Sequence, residues 1–188
     1  MTTDRPRCRF FTATTLDGYL ADEHDSLDWL FVQEHDEDGP GGIDAFMAGV
    51  GAMVMGATTY QWVVDHGART DEPWPYALPT FVFTHRDLEP AAPSVRLVQG
   101  TPDELWPSIA EAAGDGEVWM VGGGALAADF AEAGLLDELL VSVAPVTLGA
   151  GRPLLPRPFD LELLELDRNG AFVVARYRVV GPRPKAVA

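Results

Sequence analysis

The stretch EVWMVGGGALAADFAEAGLL, residues 117–136, sets three consecutive glycines between an apolar run and an alanine-rich segment. VWMV has the β-branched and aromatic character of a buried strand. ALAADFAEAGL, residues 125–135, reads as a helix. A strand that passes directly into a helix belongs to an α/β sheet. Glycines at that junction allow tight strand–helix packing. They also let free backbone N–H groups approach an anion at the positive end of the helix. One glycine suffices for packing, so Gly122, Gly123 and Gly124 together predict an anion cradle. The pattern is not a GxGxxG fingerprint and lies far from the N-terminus, where a simple Rossmann unit would carry it.

The rest of the chain alternates in the same way. The apolar run that opens residues 8–21 and breaks at Asp17-Gly18, and those at 52–56, 80–84, 95–98, 117–123, 138–149 and 171–181, predict strands, the sixth interrupted at Pro145. Ile43, Phe46, Met47 and Val50 share one face of a short helix. Residues 58–67 predict another, capped by Thr58 and stopped at Gly67. Thr101, Pro102 and Glu104 spell a capping box for a helix over 101–114, which Pro107 should kink or delay. The acidic stretch 22–42 reads as a loop with one helical turn at Leu27 to Val32. No full helix separates the last two long strands, so they predict an antiparallel addition to a mostly parallel sheet. The chain is expected to form one domain over residues 1–188, with only the tail GPRPKAVA disordered.

Charge decides what such a sheet can bind. With 29 acidic and 13 basic side chains the net charge is −16, which argues against nucleic acid. An anionic ligand must be held by local dipoles and a few placed cations. Mean hydropathy is near zero and no apolar run approaches the roughly 18 residues of a membrane helix. The N-terminal segment lacks the apolar core of a secretory signal, so a cytoplasmic protein is expected. Cys8 is the single cysteine and reads as a small core residue.

Two further turns suit anions. VMGATTY (54–60) puts Gly56 after a strand and Thr58 and Thr59 at a helix start. FTHRDL (83–88) ends a strand with Thr84, His85 and Arg86. Three such turns at strand ends suggest a dinucleotide with several phosphates.

Taken in order, TTLDGYLA, VMGATTY, FVFTHR, VWMVGGGALAADF and DELLVSVAPVTLGAGRPLL resemble the dihydrofolate reductase-like superfamily. Within it they look like the branch of the C-terminal reductase domain of the bifunctional riboflavin-biosynthesis deaminase/reductase. The resemblance runs from residue 8 to about 180. It implies a three-layer α/β/α fold with a mixed, mostly parallel sheet and NADPH lying across the strand ends. Gly122, Gly123, Gly124 and Ala125 would hold the pyrophosphate. Gly56, Thr58 and Thr59 would form the second phosphate turn, and Thr84, His85 and Arg86 would surround the 2′-phosphate. Ala13 with Asp17, Gly18, Tyr19 and Leu20 would line the nicotinamide. The family often has a basic residue where this chain has Ala57, which removes one phosphate contact. The sequence shows no N-terminal zinc-deaminase domain, so a bifunctional riboflavin enzyme is not expected of this chain. The resemblance also implies a homodimer, for which the strand DELLVSVAPVTLG offers an apolar surface.

Hydride transfer needs positioning and exclusion of water more than protein nucleophiles. A proton is needed too. Asp28 beside Trp29 is the candidate substrate-facing acid and aromatic wall, against a helical-turn cap and a core residue. Asp17 lies near the nicotinamide loop but also suits a turn before Gly18. Tyr60 and residues 145–151 are expected to border the substrate pocket. His24, His35 and the carboxylates from Asp22 to Asp38 match no metal-ligand spacing, so no metal is expected. An NADPH-dependent reductase of a small heterocyclic or carbonyl substrate, similar to a pterin or riboflavin precursor, is the leading expectation. A nucleotide-binding protein of the same fold without catalysis is the alternative, and a metal-dependent hydrolase a weaker third.

Overall fold

β1 (Cys8–Thr15) runs through the middle of an eight-stranded sheet, between β6 (Glu117–Gly122) and β7 (Glu138–Ala144), parallel to both. The computed structural model describes residues 5–184. Beyond β6 lie β3 (Val50–Gly56), β4 (Thr80–Phe83) and β5 (Val95–Val98), all parallel. Beyond β7 the sheet turns antiparallel, through β10 (Phe172–Pro182) to the edge strand β9 (Phe159–Asn169). The mixed, mostly parallel sheet expected from the sequence is therefore present.

Alternating side chains build the two outer layers. Val54 and Met120 point to one face, with Phe10, Phe81, Ile109 and Phe130. Met53, Met55 and Trp119 point to the other, with Phe46 and Tyr60. The first face is covered by α4 (Pro102–Ala113) and α5 (Gly124–Glu132). The second is covered by α2 (Ile43–Met47) and α3 (Ala57–Thr70). Ile109 and Phe130 have no exposed surface, and burial of side chains this size stabilises by about 2–3 kcal/mol each. A third cluster joins Trp29 of α1 (Asp28–Phe31) to Ala144, Phe172 and Val174. A small ribbon, β2 (Tyr19–Ala21) with β8 (Arg152–Pro153), ties the loop after β1 to the segment after β7.

Several local expectations change. The helix expected from Thr58 begins at Ala57 with Gly56 as its N-cap, and it runs past Gly67 to Thr70. Gly67 serves the chain's return instead: its carbonyl accepts from Glu72 N–H at 2.9 Å, and a Cβ there would meet the Glu72 carbonyl oxygen at 2.6 Å. α4 starts at Pro102 despite Pro107, because the capping box forms. Thr101 Oγ1 accepts from Glu104 N–H (3.3 Å) and Glu104 Oε2 from Thr101 N–H (2.8 Å). β7 stops at Ala144, before Pro145, which has no ladder donor. β9 is absent from the sequence reading. Its Leu161, Leu163 and Leu166 stay 40–62% exposed, so core burial does not select its pattern. The tail reading also shifts: Gly181 and Pro182 belong to β10, and residues 185–188, like residues 1–4, lie outside the described residues.

β1, β3, β4 and β6 are parallel, so their carboxyl ends lie on one edge of the sheet. The turns at Asp17–Gly18, Gly56, Thr84–Arg86 and Gly122–Gly124 come together there. No helix among the described residues is long and apolar enough to cross a membrane.

Candidate functional site

The three glycines have three different environments. Gly124 opens α5 against the segment after β8: a Cβ would lie 2.5 Å from the Leu154 carbonyl oxygen and nearer still to that of Pro153. Gly122 faces Thr59, whose Oγ1 would be 3.0 Å from a Cβ. Gly123 faces open space, with nothing within 4 Å of a Cβ. Packing thus accounts for Gly124 and leaves Gly123 unexplained.

Gly123 is also the N-cap of α5, and no side chain caps that helix. Gly56 is the equally uncapped N-cap of α3. The two helix starts adjoin, for a Cβ on Gly56 would sit 3.8 Å from Gly123 N. Each leaves first-turn N–H groups without intrahelical partners and carries a partial positive charge. Two adjacent helix N-termini with no acidic residue in either first turn form a strongly anion-attracting corner.

Beside this corner a cleft of about 390 Å³ is lined by Gly56, Ala57, Thr84, His85, Arg86 and residues of the β5–α4 turn and α5. Thr84 is buried, and its Oγ1 accepts from Arg86 N–H at 2.9 Å, which fixes the turn. The Arg86 guanidinium is exposed and donates to Thr58 Oγ1 at 3.4 Å. Among the described residues no carboxylate pairs with it, a notable arrangement in a chain of net charge −16. Val98, Gln99, Gly100, Pro102 and Leu126 complete the walls. The sequence reading missed them, although Gly100 directly precedes the capping box it identified. Ala125 is exposed at the start of α5, where its carbonyl accepts from Arg157 at 2.9 Å.

On the other side of the corner lies the loop after β1. The Asp17 carboxylate accepts from Thr15 Oγ1 (2.6 Å), Gly149 N–H (2.7 Å) and Leu148 N–H (3.1 Å). The Thr15 hydroxyl first, then these backbone donors, hold Asp17 below the usual carboxylate range. Asp17 thereby clasps residues 148–149 to its own turn, in which Gly18 has φ +84°. Arg152 pairs with Asp25 at 2.6 Å and strengthens the tie. Leu20 packs on the α5-side core, and Ala13 beside Trp29. Tyr19 lies half-buried in β2.

Two expected substrate residues have structural positions. Tyr60 does not border the pocket: it is 2% exposed, its hydroxyl donates to the Glu89 carbonyl at 2.6 Å, and it accepts from Ala91 N–H at 2.7 Å. Trp29 is in the core, 8% exposed, and its indole N–H has no partner among the described residues. Asp28 is exposed and does not cap α1, whose N-cap is Leu27. No group of three or more potential metal ligands occurs among the described residues. β7 is hydrogen-bonded along both edges, so it offers no free strand edge to a second copy.

Known proteins with similar sequences or structures point the same way. The family model of the RibD C-terminal domain matches residues 6–174. The uncharacterized protein YwjB of Bacillus subtilis is 30% identical over 145 residues, 77% of this chain and 79% of its own. A structure described as a riboflavin biosynthesis protein from Shewanella sp. PV-4 superposes with a TM-score of 0.75 at 28% identity, over 93% of this chain and 98% of that one. Dihydrofolate reductase from Enterococcus faecalis, complexed with NADP(H) and RAB-propyl, gives a TM-score of 0.56 over 93% and 96%. At 15% identity it shows the shared fold alone.

Proposed function

The chain belongs to the RibD C-terminal domain family, and from that premise we propose that it is an NADPH-dependent reductase of a small heterocyclic or carbonyl substrate. The observation that carries this is the open face of Gly123 between two uncapped helix starts. A glycine that packing does not require leaves room for a ligand pressed against it. Pyrophosphate fits that position in size, charge and hydrogen-bonding demand.

Gly122 to Ala125 would hold the pyrophosphate through N–H groups and helix dipole, with Gly56, Thr58 and Thr59 on its other side. Thr84, His85 and Arg86 would take the adenosine 2′-phosphate, for which Arg86 offers a guanidinium that no carboxylate among the described residues pairs with. Val98 to Gly100 and Leu126 would enclose the adenine end. Ala13 and the turn from Asp17 to Leu20 would border the nicotinamide, held by the clasp between Asp17 and residues 148–149. When bound, NADPH supplies the hydride. The chain's residues supply position and exclude water. Asp17, its carboxylate held below the usual range by Thr15 and the backbone of residues 148–149, is assigned to the clasp rather than to proton transfer. Asp28 is exposed to water, which can deliver the proton directly. A homodimer belongs to the proposal, with its surface on β9 and β10, where Leu161, Leu163, Leu166, Val173 and Val180 are exposed. Light scattering tests it.

Titration calorimetry with NADPH and NADH tests the cofactor assignment. Micromolar binding that favours NADPH is expected, and no binding of either overturns it. Among the described residues no buried carboxylate lies beside the candidate site, which favours one alternative, a nucleotide-binding protein of the same fold without catalysis. NADPH binding without consumption across a panel of pterins, flavin precursors and carbonyl compounds would establish that alternative.

A further inference from the structure

α5 carries two carboxylates three residues apart, Asp129 and Glu132, on one side of the helix. Left bare they would repel each other and any phosphate nearby. Arg157 joins them. One arm of its guanidinium donates to Glu132 Oε2 at 2.8 Å. The other donates to Asp129 Oδ1 at 2.5 Å and to the Ala125 carbonyl at 2.9 Å. Arg157 stands between Pro156 and Pro158, whose rings restrict the backbone, and the flanking Leu155 and Phe159 pack on the core. The guanidinium is thus delivered to α5 by a stiff, anchored segment.

Asp129 is also a wall of the cleft beside the anion corner. It lies one helical turn beyond Leu126 on the same side of α5, roughly 7–8 Å along the helix from Gly124. Its Oδ1 is committed to Arg157, and among the described residues no donor reaches Oδ2. Near it Val98, Pro102 and Leu126 are apolar. They can cover the faces of a flat base but cannot satisfy its polar edge. Gln99 and Asp129 are the polar side chains at this end of the cleft, and of the two only Asp129 is held by a partner among the described residues. An ionised carboxylate accepts and cannot donate. It therefore fits a base edge that offers an amino group and opposes one that offers a carbonyl oxygen.

Resting on the NADPH reading above, we infer that Asp129 selects the base of the nucleotide, its Oδ2 accepting from the 6-amino group of adenine, with Arg157 as its positioning residue. Arg157 also offsets the charge that Asp129 would otherwise set against the 2′-phosphate. Nucleotides of hypoxanthine or guanine, which carry an oxygen at that position, are rejected.

The full chain is titrated calorimetrically with NADPH and with its hypoxanthine analogue, which exchanges the 6-amino group for an oxygen. Both keep the nicotinamide, pyrophosphate and 2′-phosphate, so the ratio of affinities reports the base alone. NADPH is expected to bind about tenfold more tightly, the scale of one hydrogen bond to a charged, partly exposed group. Asp129→Ala puts a good helix former at an exposed site and should bring the ratio to about one. Arg157→Gln should lower the ratio to about threefold or less, and Arg157→Lys, which keeps the charge, should retain more of it. A purely structural role for the pair would lower the melting temperature of these variants and leave the ratio at its wild-type value. Equal affinity of the wild type for the two nucleotides, or a wild-type ratio in Asp129→Ala, overturns the inference. A wild-type ratio in Arg157→Gln removes the positioning role. Binding of neither nucleotide would fail the cofactor assignment itself, whereas binding of both with equal affinity fails only the base-selecting role of Asp129.

Discussion

Replacing Gly123 and Gly124 one at a time by alanine separates ligand binding from packing at adjacent positions. For Gly124→Ala the new methyl would lie 2.5 Å from the Leu154 carbonyl oxygen, and ordinary contact begins at 3.4 Å. The 153–154 backbone would have to retreat by roughly an ångström. It is not free to do so, because Leu154 N–H donates to the Gly18 carbonyl at 2.8 Å and Pro153 is in the β2–β8 ribbon. Overpacking of this kind costs about 1–3 kcal/mol, or about 2–12 °C of melting temperature for a chain of this size. For Gly123→Ala the methyl meets nothing within 4 Å. The loss of a good N-cap residue and the gain from a stiffer unfolded chain nearly cancel, leaving about 1 kcal/mol or less. The same methyl would occupy the space assigned to pyrophosphate, so NADPH affinity should fall at least about tenfold, or roughly 1.4 kcal/mol. Thermal melts with calorimetric titration of both variants check this. Wild-type NADPH affinity in Gly123→Ala, or equal melting points for the two variants, would refute the reasoning.

Other perturbations have distinct signatures. Arg86→Gln removes the guanidinium unpaired with any described carboxylate, and should lower the preference for NADPH over NADH about 10–100-fold; unchanged preference in paired titrations would count against a 2′-phosphate role. Tyr60→Phe strands the Ala91 N–H and should cost about 1–3 kcal/mol in urea unfolding while leaving nucleotide affinity unaltered. Because Asp17 is depressed below 3.8 in the fold, its contribution is complete above that value and is lost as pH falls through the lower folded pKa. Acid unfolding of Asp17→Asn should therefore lack that part of the pH dependence, and identical acid profiles for variant and wild type would contradict the clasp.

How far the sequence could be read depended on whether the signal was local. The capping box at Thr101 and Glu104 is made by residues three apart, and it appears in the structure as the pattern predicts. β4 and β5 are short runs bounded by breakers, and they fall where expected. Gly67 misled because a glycine that stops a helix and one that admits a returning chain look alike in one dimension. β9 was missed because its leucines meet no core, so burial never imposed the usual alternation. Tyr60 reads as a pocket residue beside Thr58 and Thr59, but helix rotation turns it inward to Glu89 and Ala91, about 30 residues away along the chain.

The sequence by itself determined the alternation of strands and helices, the three anion-friendly turns and the scarcity of positive charge. Each depends on neighbouring residues or on composition. Tertiary structure alone decided that those turns share one sheet edge, because parallel pairing brings together carboxyl ends scattered from Thr15 to Gly122. It also decided which glycine packs and which stands open. That distinction depends on Pro153 and Leu154, which approach Gly124 only because the β2–β8 ribbon holds them there.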